Sequence, residues 1–305
     1  MILAWTVPDG PDRKAYTILR RELNASAAFV RRLKTAGALF VNGEPAFTDR
    51  ILRPGDVLTA DVSACEPPCG LVPEPGPLEV LAEDESFLAV NKPEGMMIHP
   101  TRSRYGGTLC NRAAGWLQEK GEEPVVHAVN RLDRDTSGAV LLAKNSYMKA
   151  ALSSSLAAPD AGKEYLAAVF GRMPADHGTV DAPIVRPDPT DMKREVRSDG
   201  RPAVTRWKVI GEADGISLLS LALETGRTHQ IRVHCAHLGC PLLGDALYGS
   251  EASVRFSSEL GIRSHLLHAH HLSFTHPLSG ERISLTASVR REDFLDVLKL
   301  FPICP

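Results

Sequence analysis

The sequence lacks the marks of several broad classes of protein. Its 305 residues include six cysteines, none in a C-x-x-C pair, and no apolar run approaches the roughly 20 residues needed to span a bilayer. The N-terminus does not show the pattern of a secretory signal peptide. These absences argue against a disulfide-rich secreted protein and against a membrane protein. We therefore expect reduced thiols, a cytoplasmic location and no membrane partner.

The chain also lacks a strong net charge. Its formal charge is −2 at pH 7, although 24% of its residues are charged. Nucleic-acid-binding proteins are often basic overall, so the total argues mildly against that class, but the distribution of charge matters more. Residues 1–60 carry nine Lys or Arg and six Asp or Glu, a net +3, whereas residues 61–90 carry seven acids and no base, a net −7. Positive charge is therefore concentrated near the N-terminus.

Residues 1–62 are predicted to form a small first unit of two helices and a few strands. The pattern indicates a short helix over residues 13–23 and a second helix that begins after the N-cap Ser26 and stops at Gly37. A strand follows this second helix. The Asn-Gly pair at residues 42–43 is a strong signal for a two-residue hairpin.

The second predicted helix carries basic side chains on one face. Its apolar residues share the opposite face, so Arg31, Arg32 and Lys34 are predicted to project outward. Such a face is most often simply solvated, and the case for RNA binding depends on the domain that follows. Two helices, a small hairpin and an exposed basic face resemble the alpha-L RNA-binding module first described in a small-subunit ribosomal protein. The resemblance implies a small α/β RNA-binding module at residues 1–62.

A proline-rich stretch follows the first unit. Five prolines lie within residues 67–77, and such a stretch favours an extended, poorly packed connection. We place a linker at residues 63–77 and a second, larger domain at residues 78–305. A tether of this kind would let the first unit sample positions around a large substrate.

The second domain is predicted to have an α+β fold. Strands outnumber helices after residue 78, and the regular strand–helix alternation of a doubly wound sheet is missing. This pattern favours a mainly antiparallel sheet.

The most informative stretch is residues 127–145, where a dense charged segment lies between apolar ones. Arg131 and Arg134 flank Asp133, and residues 139–143 form an apolar stretch that is predicted to be a strand. The charged segment is therefore predicted to be a strand-to-strand connection, a place that commonly carries chemistry. From charge spacing alone, a tight loop in which arginines neutralise aspartates is an equally good interpretation.

Residues 130–138 (NRLDRDTSG) resemble the signature of the RluA-type pseudouridine synthases, in which an aspartate follows Arg-Leu and precedes Thr-Ser-Gly. Asn130 stands where many members have His. Four further segments resemble the same family, and they are 91–95 (NKPEG) followed by His-Pro, 163–167 (KEYLA), 226–234 (GRTHQIRVH) with 244–249 (GDALYG), and 267–269 with 274–277. One such match is weak, but five in the family's order are strong. The resemblance implies a catalytic domain with a mixed, mainly antiparallel sheet, flanking helices and a central cleft. It also implies that this domain converts uridine to pseudouridine within RNA.

The resemblance also implies catalytic roles for three residues. Asp133 falls at the catalytic position, where a carboxylate could attack the ribose, attack the base or remove a ribose proton. Arg232 matches the arginine that pairs with this aspartate, and Tyr165 matches the tyrosine that stacks on the base and could move the proton from carbon 5. Judged alone, Arg232 would be a surface residue of an amphipathic helix and Tyr165 a core residue.

Three residues near the predicted cleft are expected to contact RNA. Arg131 could occupy the space that an extruded uracil leaves in the base stack. Arg227 and His229 belong to the segment that carries Arg232, and His229 shares a helix face with Arg232. Asp135 is better explained as a brace of the loop than as half of a glycosidase pair, because two aspartates two residues apart are poorly placed to flank a sugar.

No metal or cofactor is expected. The histidines between residues 265 and 276 alternate along a predicted strand without a cysteine at ligand spacing, and the implied reaction involves no redox change. The expected partner is RNA, with ribosomal RNA favoured and transfer RNA as the alternative, and no obligate protein partner is inferred. Two rival functions stay open: a glycosylase that uses the same carboxylate, and a non-catalytic RNA-binding or ribosome-assembly factor.

Overall fold

The computed structural model describes residues 1–67, 70–101 and 105–301. Pro68 and Cys69 of the predicted linker, and Cys304, lie outside these ranges. The helices are α1 (Ala15–Arg21), α2 (Ala27–Ala36), α3 (Leu109–Glu119), α4 (Ser146–Ala157), α5 (Gln230–His237), α6 (Glu251–Glu259) and α7 (Glu292–Leu298). None of the helices in the described ranges combines the length and the apolarity that crossing a bilayer requires.

The strands fall into two groups along the chain. Those of the first unit are β1 (Ile2–Thr6), β2 (Arg13–Lys14), β3 (Leu39–Val41), β4 (Glu44–Pro45), β5 (Ile51–Leu52) and β6 (Val57–Asp61). Those that follow are β7 (Glu79–Glu83), β8 (Phe87–Lys92), β9 (His127–Ala128), β10 (Ser137–Ala143), β11 (Gly162–Phe170), β12 (His177–Asp181), β13 (Ile184–Val185), β14 (Glu195–Val196), β15 (Val204–Ala213), β16 (Ile216–Leu223), β17 (Leu267–Thr275) and β18 (Arg282–Thr286).

The first unit has its own sheet, in the order β1-β6-β3-β4, with α1 and α2 alongside. The predicted ends of α2 are both present. The Ser26 hydroxyl accepts a hydrogen bond of 3.1 Å from the Phe29 amide, and Gly37 ends the helix in the left-handed conformation, with φ of 62°. Strand β1, which the sequence did not predict, pairs along the whole length of β6.

The first unit packs against α4 of the second domain. The ring centroids of Phe29 and Tyr147 lie 5.1 Å apart, and the Tyr147 hydroxyl donates a hydrogen bond of 2.8 Å to the Leu23 carbonyl. Glu66, from the segment predicted as linker, accepts a hydrogen bond of 2.9 Å from the Ser146 amide. The structure thus differs from the expected free tether, because aromatic burial and hydrogen bonds hold the two units in contact.

The second domain is built on a ten-stranded mixed sheet. Its path runs β12-β15-β16-β11-β17-β10-β8-β7, with β18 paired to β17 and β9 to β10. Within the described chain, β10 and β17 pair in parallel and the other neighbours pair antiparallel. The α+β fold with a mainly antiparallel sheet is therefore confirmed.

A short parallel seam joins the two halves of this sheet. Only two residue pairs form its register, Ser137 with His268 and Gly138 with Ala269, and the Ser137 hydroxyl is hydrogen-bonded to the His268 ring at 2.8 Å. Tyr165 on β11 is also aligned with Ala269. The seam therefore places the loop that precedes β10 beside the strand that carries Tyr165.

Gly138 allows the strands at the seam to approach closely. Its φ is +113°, and a Cβ atom added there would lie 2.3–2.7 Å from backbone atoms of Ala269. This residue lies within β10, beside the parallel pairing with β17. No other residue type fits both the conformation and the space.

We expect Gly138→Ala to destabilise the fold by at least about 3 kcal/mol, because the added methyl collides with backbone that cannot move aside. Urea unfolding followed by circular dichroism measures the loss. Gly226→Ala is the matched control, since its Cβ would meet no atom within 4 Å and its φ lies outside the left-handed range. Equal stability of the two variants would contradict the importance of the seam.

Candidate active site

The site is organised around the buried guanidinium of Arg232, on the first turn of α5. Its Nε and Nη2 donate hydrogen bonds of 2.7 and 2.9 Å to the two carboxylate oxygens of Asp245. Its Nη1 donates to Oδ2 of Asp133 at 3.2 Å. The two-pronged bond to Asp245 fixes the plane of the guanidinium, so its third nitrogen is directed at Asp133.

Charge pairing outweighs the cost of burial in this cluster. Burial favours the neutral form of Arg232, but the carboxylates of Asp245 and Asp133 raise its pKa above the usual range. Burial likewise opposes ionisation of Asp245, but hydrogen bonds and charge from Arg232 lower its pKa below the ordinary value. The pair therefore stays ionised at neutral pH.

A tight turn after α5 holds Asp245 in place. The backbone amides of Leu247 and Tyr248 donate to its Oδ1 at 3.0 and 3.2 Å. The ring of Tyr248 lies 5.0 Å from the Arg232 guanidinium carbon, a distance suited to a cation–π contact. The sequence analysis included Asp245 and Tyr248 in a motif but assigned them no role, because nothing in the sequence shows what they contact.

The loop that carries Asp133 is anchored by a buried lysine. Lys92, at the end of β8, is fully buried, and its ammonium donates to the carbonyls of Pro93, Met96 and Arg134 at 2.7, 2.9 and 2.8 Å. Burial lowers the pKa of Lys92 to about 8, while the charge of Asp135 is the largest of those that raise it. Lys92 was not predicted as a site residue, because its contacts join two segments about forty residues apart.

The loop is also braced at its two ends. At its start, the Asn130 side chain accepts from the Leu141 amide at 2.8 Å and donates to the Ala139 carbonyl at 3.1 Å. Near its end, Asp135 accepts two hydrogen bonds of 2.9 Å from the Arg134 side chain. Both partners belong to the loop, so these hydrogen bonds act locally and tie the loop to no other segment.

An open cleft of about 620 Å³ lies in front of this loop. Asp133, Tyr165, Arg131 and Arg227 are among its lining residues. An adjoining cavity of about 60 Å³ shares Asp133 and Tyr165 and reaches back to Arg232 and His229. The structure therefore brings together the three predicted catalytic residues and three of the predicted RNA-binding residues.

Tyr165 presents a protonated phenol to this cleft. It is half-buried on β11, and burial, with a smaller contribution from the negative charge of Asp133, raises the pKa of Tyr165 to about 12. The phenol therefore stays protonated at pH 7. The side chain can stack and donate a hydrogen bond, but it is a weak base.

His229 lies beside the carboxylate of Asp133. Its Nε2 is 3.8 Å from Oδ2 of Asp133, and its Nδ1 is hydrogen-bonded to the Tyr248 hydroxyl at 2.8 Å. The same hydroxyl accepts from the Arg194 amide at 2.9 Å. Burial lowers the pKa of His229, although the charge of Asp133 acts in the opposite direction. His229 is thus a neutral neighbour of Asp133 near pH 7.

The predicted RNA-binding residues of the first unit lie apart from the cleft and differ from one another. Arg31 and Lys34 are exposed on α2. Arg32 instead donates to the Cys65 carbonyl at 3.0 Å and to the Ser146 hydroxyl at 2.8 Å. This differs from the predicted outward orientation of Arg32. The reason is its position one helical turn after Phe29, which places it at the edge of the buried face.

The histidines near the C-terminus serve the fold. His265 is hydrogen-bonded to the Thr136 hydroxyl at 2.8 Å, and His268 to Ser137 and to the Ala287 carbonyl. In the described part of the chain, no group of three or more His, Cys, Asp or Glu side chains is arranged to hold a metal ion.

A carboxylate, an arginine and a tyrosine gathered at one open cleft form a candidate active site. Comparisons with known proteins identify the family. Residues 86–237 match the family described as RNA pseudouridylate synthase. The chain is 39% identical over 272 residues to the uncharacterized RNA pseudouridine synthase YjbO of Bacillus subtilis (strain 168), covering 89% of this chain and 94% of that protein.

Two further relatives agree with this match. Ribosomal large subunit pseudouridine synthase D of Xanthomonas campestris pv. campestris is 37% identical over 292 residues, covering 93% of this chain and 88% of that protein. The solved structure of human RNA Pseudouridylate Synthase Domain Containing 4 superposes with a TM-score of 0.58 at 26% identity, covering 72% of this chain and 92% of that one. The chain therefore belongs to the RNA pseudouridylate synthase family and is a pseudouridine synthase, an isomerase that acts on RNA.

We expect Asp245→Asn to destabilise the protein by about 3 kcal/mol at pH 7, because it leaves the buried Arg232 without its principal counter-charge. The lowered pKa of Asp245 means that its contribution is present above pH ~4 and is lost as the pH falls through the folded-state value. Urea unfolding at pH 7 and pH 3 should therefore show a difference from wild type that shrinks in acid.

Asp135→Asn is the matched control for this measurement. Its partner Arg134 is largely exposed, so the loss should stay below about 1 kcal/mol. An Asp245→Asn variant as stable as Asp135→Asn would show that the buried pair does not hold the site together.

Proposed function

We propose that this pseudouridine synthase modifies uridines in large-subunit ribosomal RNA and that Asp133 carries the chemistry. The observation that supports the catalytic assignment most strongly is the fixed guanidinium of Arg232, which contacts Asp133 at the edge of an open cleft. The ribosomal substrate is supported by the Xanthomonas relative, which is named ribosomal large subunit pseudouridine synthase D and aligns with 93% of this chain. A first unit with an exposed basic helix face also suits a large structured RNA.

The reaction is balanced without any added reagent. The bond from ribose C1′ to N1 of uracil breaks, a bond from C1′ to C5 forms, N1 gains a proton and C5 loses one. A carboxylate suits this exchange, since it can act as a nucleophile or as a base beside a sugar that develops positive charge. Arg232 engages Oδ2 of Asp133, and Oδ1 has no hydrogen-bond partner among the described residues, so Oδ1 is available to the nucleotide.

The remaining cleft residues hold the nucleotide. The target base must leave its stack, at a cost of a few kcal/mol, before it can reach Asp133. Arg131 is exposed beside the loop and pairs with no carboxylate in the described residues, so its planar cation can fill the vacated space. Tyr165 stacks on the everted base and donates a hydrogen bond. Its raised pKa makes it a poor choice for removing the C5 proton at neutral pH.

Asp133→Asn should abolish isomerisation while leaving RNA affinity largely intact, because it removes the charge and keeps the volume. Tritium release from RNA labelled at C5 of uridine measures the loss, and a filter-binding titration measures affinity. Asp135→Asn is the control, because it makes the same substitution two residues away in the same loop, and it should retain most turnover. Tritium release by Asp133→Asn at the wild-type rate would refute the assignment.

Analysis of the product separates this proposal from its enzymatic rival. An isomerase leaves the base joined to the RNA as pseudouridine, whereas a glycosylase that used the same carboxylate would release free uracil. Chromatography of the nuclease-digested RNA distinguishes the two outcomes directly.

Replacing both Arg31 and Lys34 by Gln should weaken RNA binding several-fold and reduce the slope of log affinity against log salt by up to about 2. The slope falls because binding with fewer phosphate contacts releases fewer counterions. Arg32→Gln is the informative comparison. Its guanidinium bonds within the protein, so this variant should alter stability and leave the salt slope unchanged. A double variant with the wild-type slope would remove the first unit from the RNA-binding surface.

A further inference from the structure

Lys163 projects into the cleft beside the catalytic tyrosine. It lies on β11 two residues before Tyr165, and alternate residues of a strand share a face, so the two side chains start about 7 Å apart on the same side of the sheet. Both residues line the cleft together with Asp133. The ammonium group is therefore within reach of a nucleotide whose base contacts Tyr165.

This lysine has no protein counter-charge. Its side chain is half-buried and makes no ion pair or hydrogen bond with any described residue, whereas its backbone is paired with Leu272 of β17. Burial lowers the pKa of Lys163, and no neighbouring carboxylate contributes to raise it again. By contrast, Lys144 is buried to a similar or greater degree and contacts two glutamates at 2.8 and 2.7 Å. A partly buried cation without a partner costs free energy, which indicates that its partner arrives with the ligand.

The charge of the cleft indicates what that partner is. Asp133 is the one acidic side chain among the described residues that line the cleft, and it shares the positive charge of Arg232 with Asp245. Arg131 and Arg227 add two further positive charges to the walls. An ammonium is a compact point charge that suits a phosphate, and phosphates receive most protein contacts to nucleic acid.

We propose that Lys163 binds the RNA phosphate adjacent to the everted uridine and so holds the nucleotide while Asp133 acts on it. This inference rests on the proposed function. It assigns a positioning role to a residue that touches the RNA backbone and takes no part in bond making. Contact with a carbonyl oxygen of the uracil is the competing arrangement, and salt dependence distinguishes the two.

The test compares Lys163→Gln and Lys163→Arg with wild type on one uridine-containing substrate RNA. Lys163→Gln should raise KM about tenfold, with a much smaller change in kcat, and should reduce the slope of log affinity against log salt by about 0.7 to 1. Lys163→Arg should restore the wild-type slope, because it retains the charge. The thermal midpoint of Lys163→Gln should equal or exceed that of wild type, since a half-buried charge without a protein partner has been removed.

Lys208→Gln is the matched control. Its neighbour Trp207 is buried on the cleft side of β15, aligned through Leu221 with Tyr165, so Lys208 projects from the opposite face. This variant should keep the wild-type KM and salt slope.

A higher KM for Lys163→Gln with an unchanged slope would overturn the phosphate assignment in favour of a base contact, and a lowered thermal midpoint with unchanged KM would leave only a structural role. Absence of pseudouridine from the wild-type reaction would instead refute the proposed function itself.

Discussion

The structure depends on one buried positive charge that must be paired from two sides. Arg232 cannot lie in the interior without counter-charge, and Asp245 supplies it through two hydrogen bonds that set the plane of the guanidinium. The third nitrogen then reaches Asp133, which is 99 residues away in sequence. A single side chain thereby fixes α5, the turn after it and the loop before β10 relative to one another.

The sheet supplies the second constraint. Asp133 and Tyr165 can share a cleft only because β10 and β11 both flank β17, and the approach of β10 to β17 requires Gly138. Lys92 then ties the loop to the end of β8 through three carbonyl contacts. Segments that are widely separated in sequence thus converge at one seam.

Local features of the chain could be predicted, whereas contacts across the fold could not. The cap at Ser26 and the stop at Gly37 follow from short-range preferences, and the structure shows both of them. Helix α6 was missed, although Ser250 caps it with a hydrogen bond to the Ser253 amide that a local reading could have found. Arg32 was predicted to face solvent, because the pattern of one helix does not reveal the second domain that packs against that helix.

The same distinction applies to the site. A resemblance in sequence was enough to select Asp133, Tyr165 and Arg232, but the partners of Arg232 and the anchoring of the loop by Lys92 emerge only when distant segments are brought together. In the sequence, Asp245 cannot be told from an ordinary turn residue, because aspartate is common in turns. Its importance comes from being almost completely buried against a guanidinium, which is a property of the folded chain.

The most direct test of the account is a structure of the protein bound to a substrate RNA that carries 5-fluorouridine at the modified position, where fluorine replaces the C5 hydrogen that must be lost. The account predicts one everted pyrimidine in the cleft, with its ring against Tyr165, its ribose or base in contact with Asp133, and Arg232 still joined to Asp245. A pyrimidine that stays stacked in the RNA, or that binds away from Asp133, would contradict it.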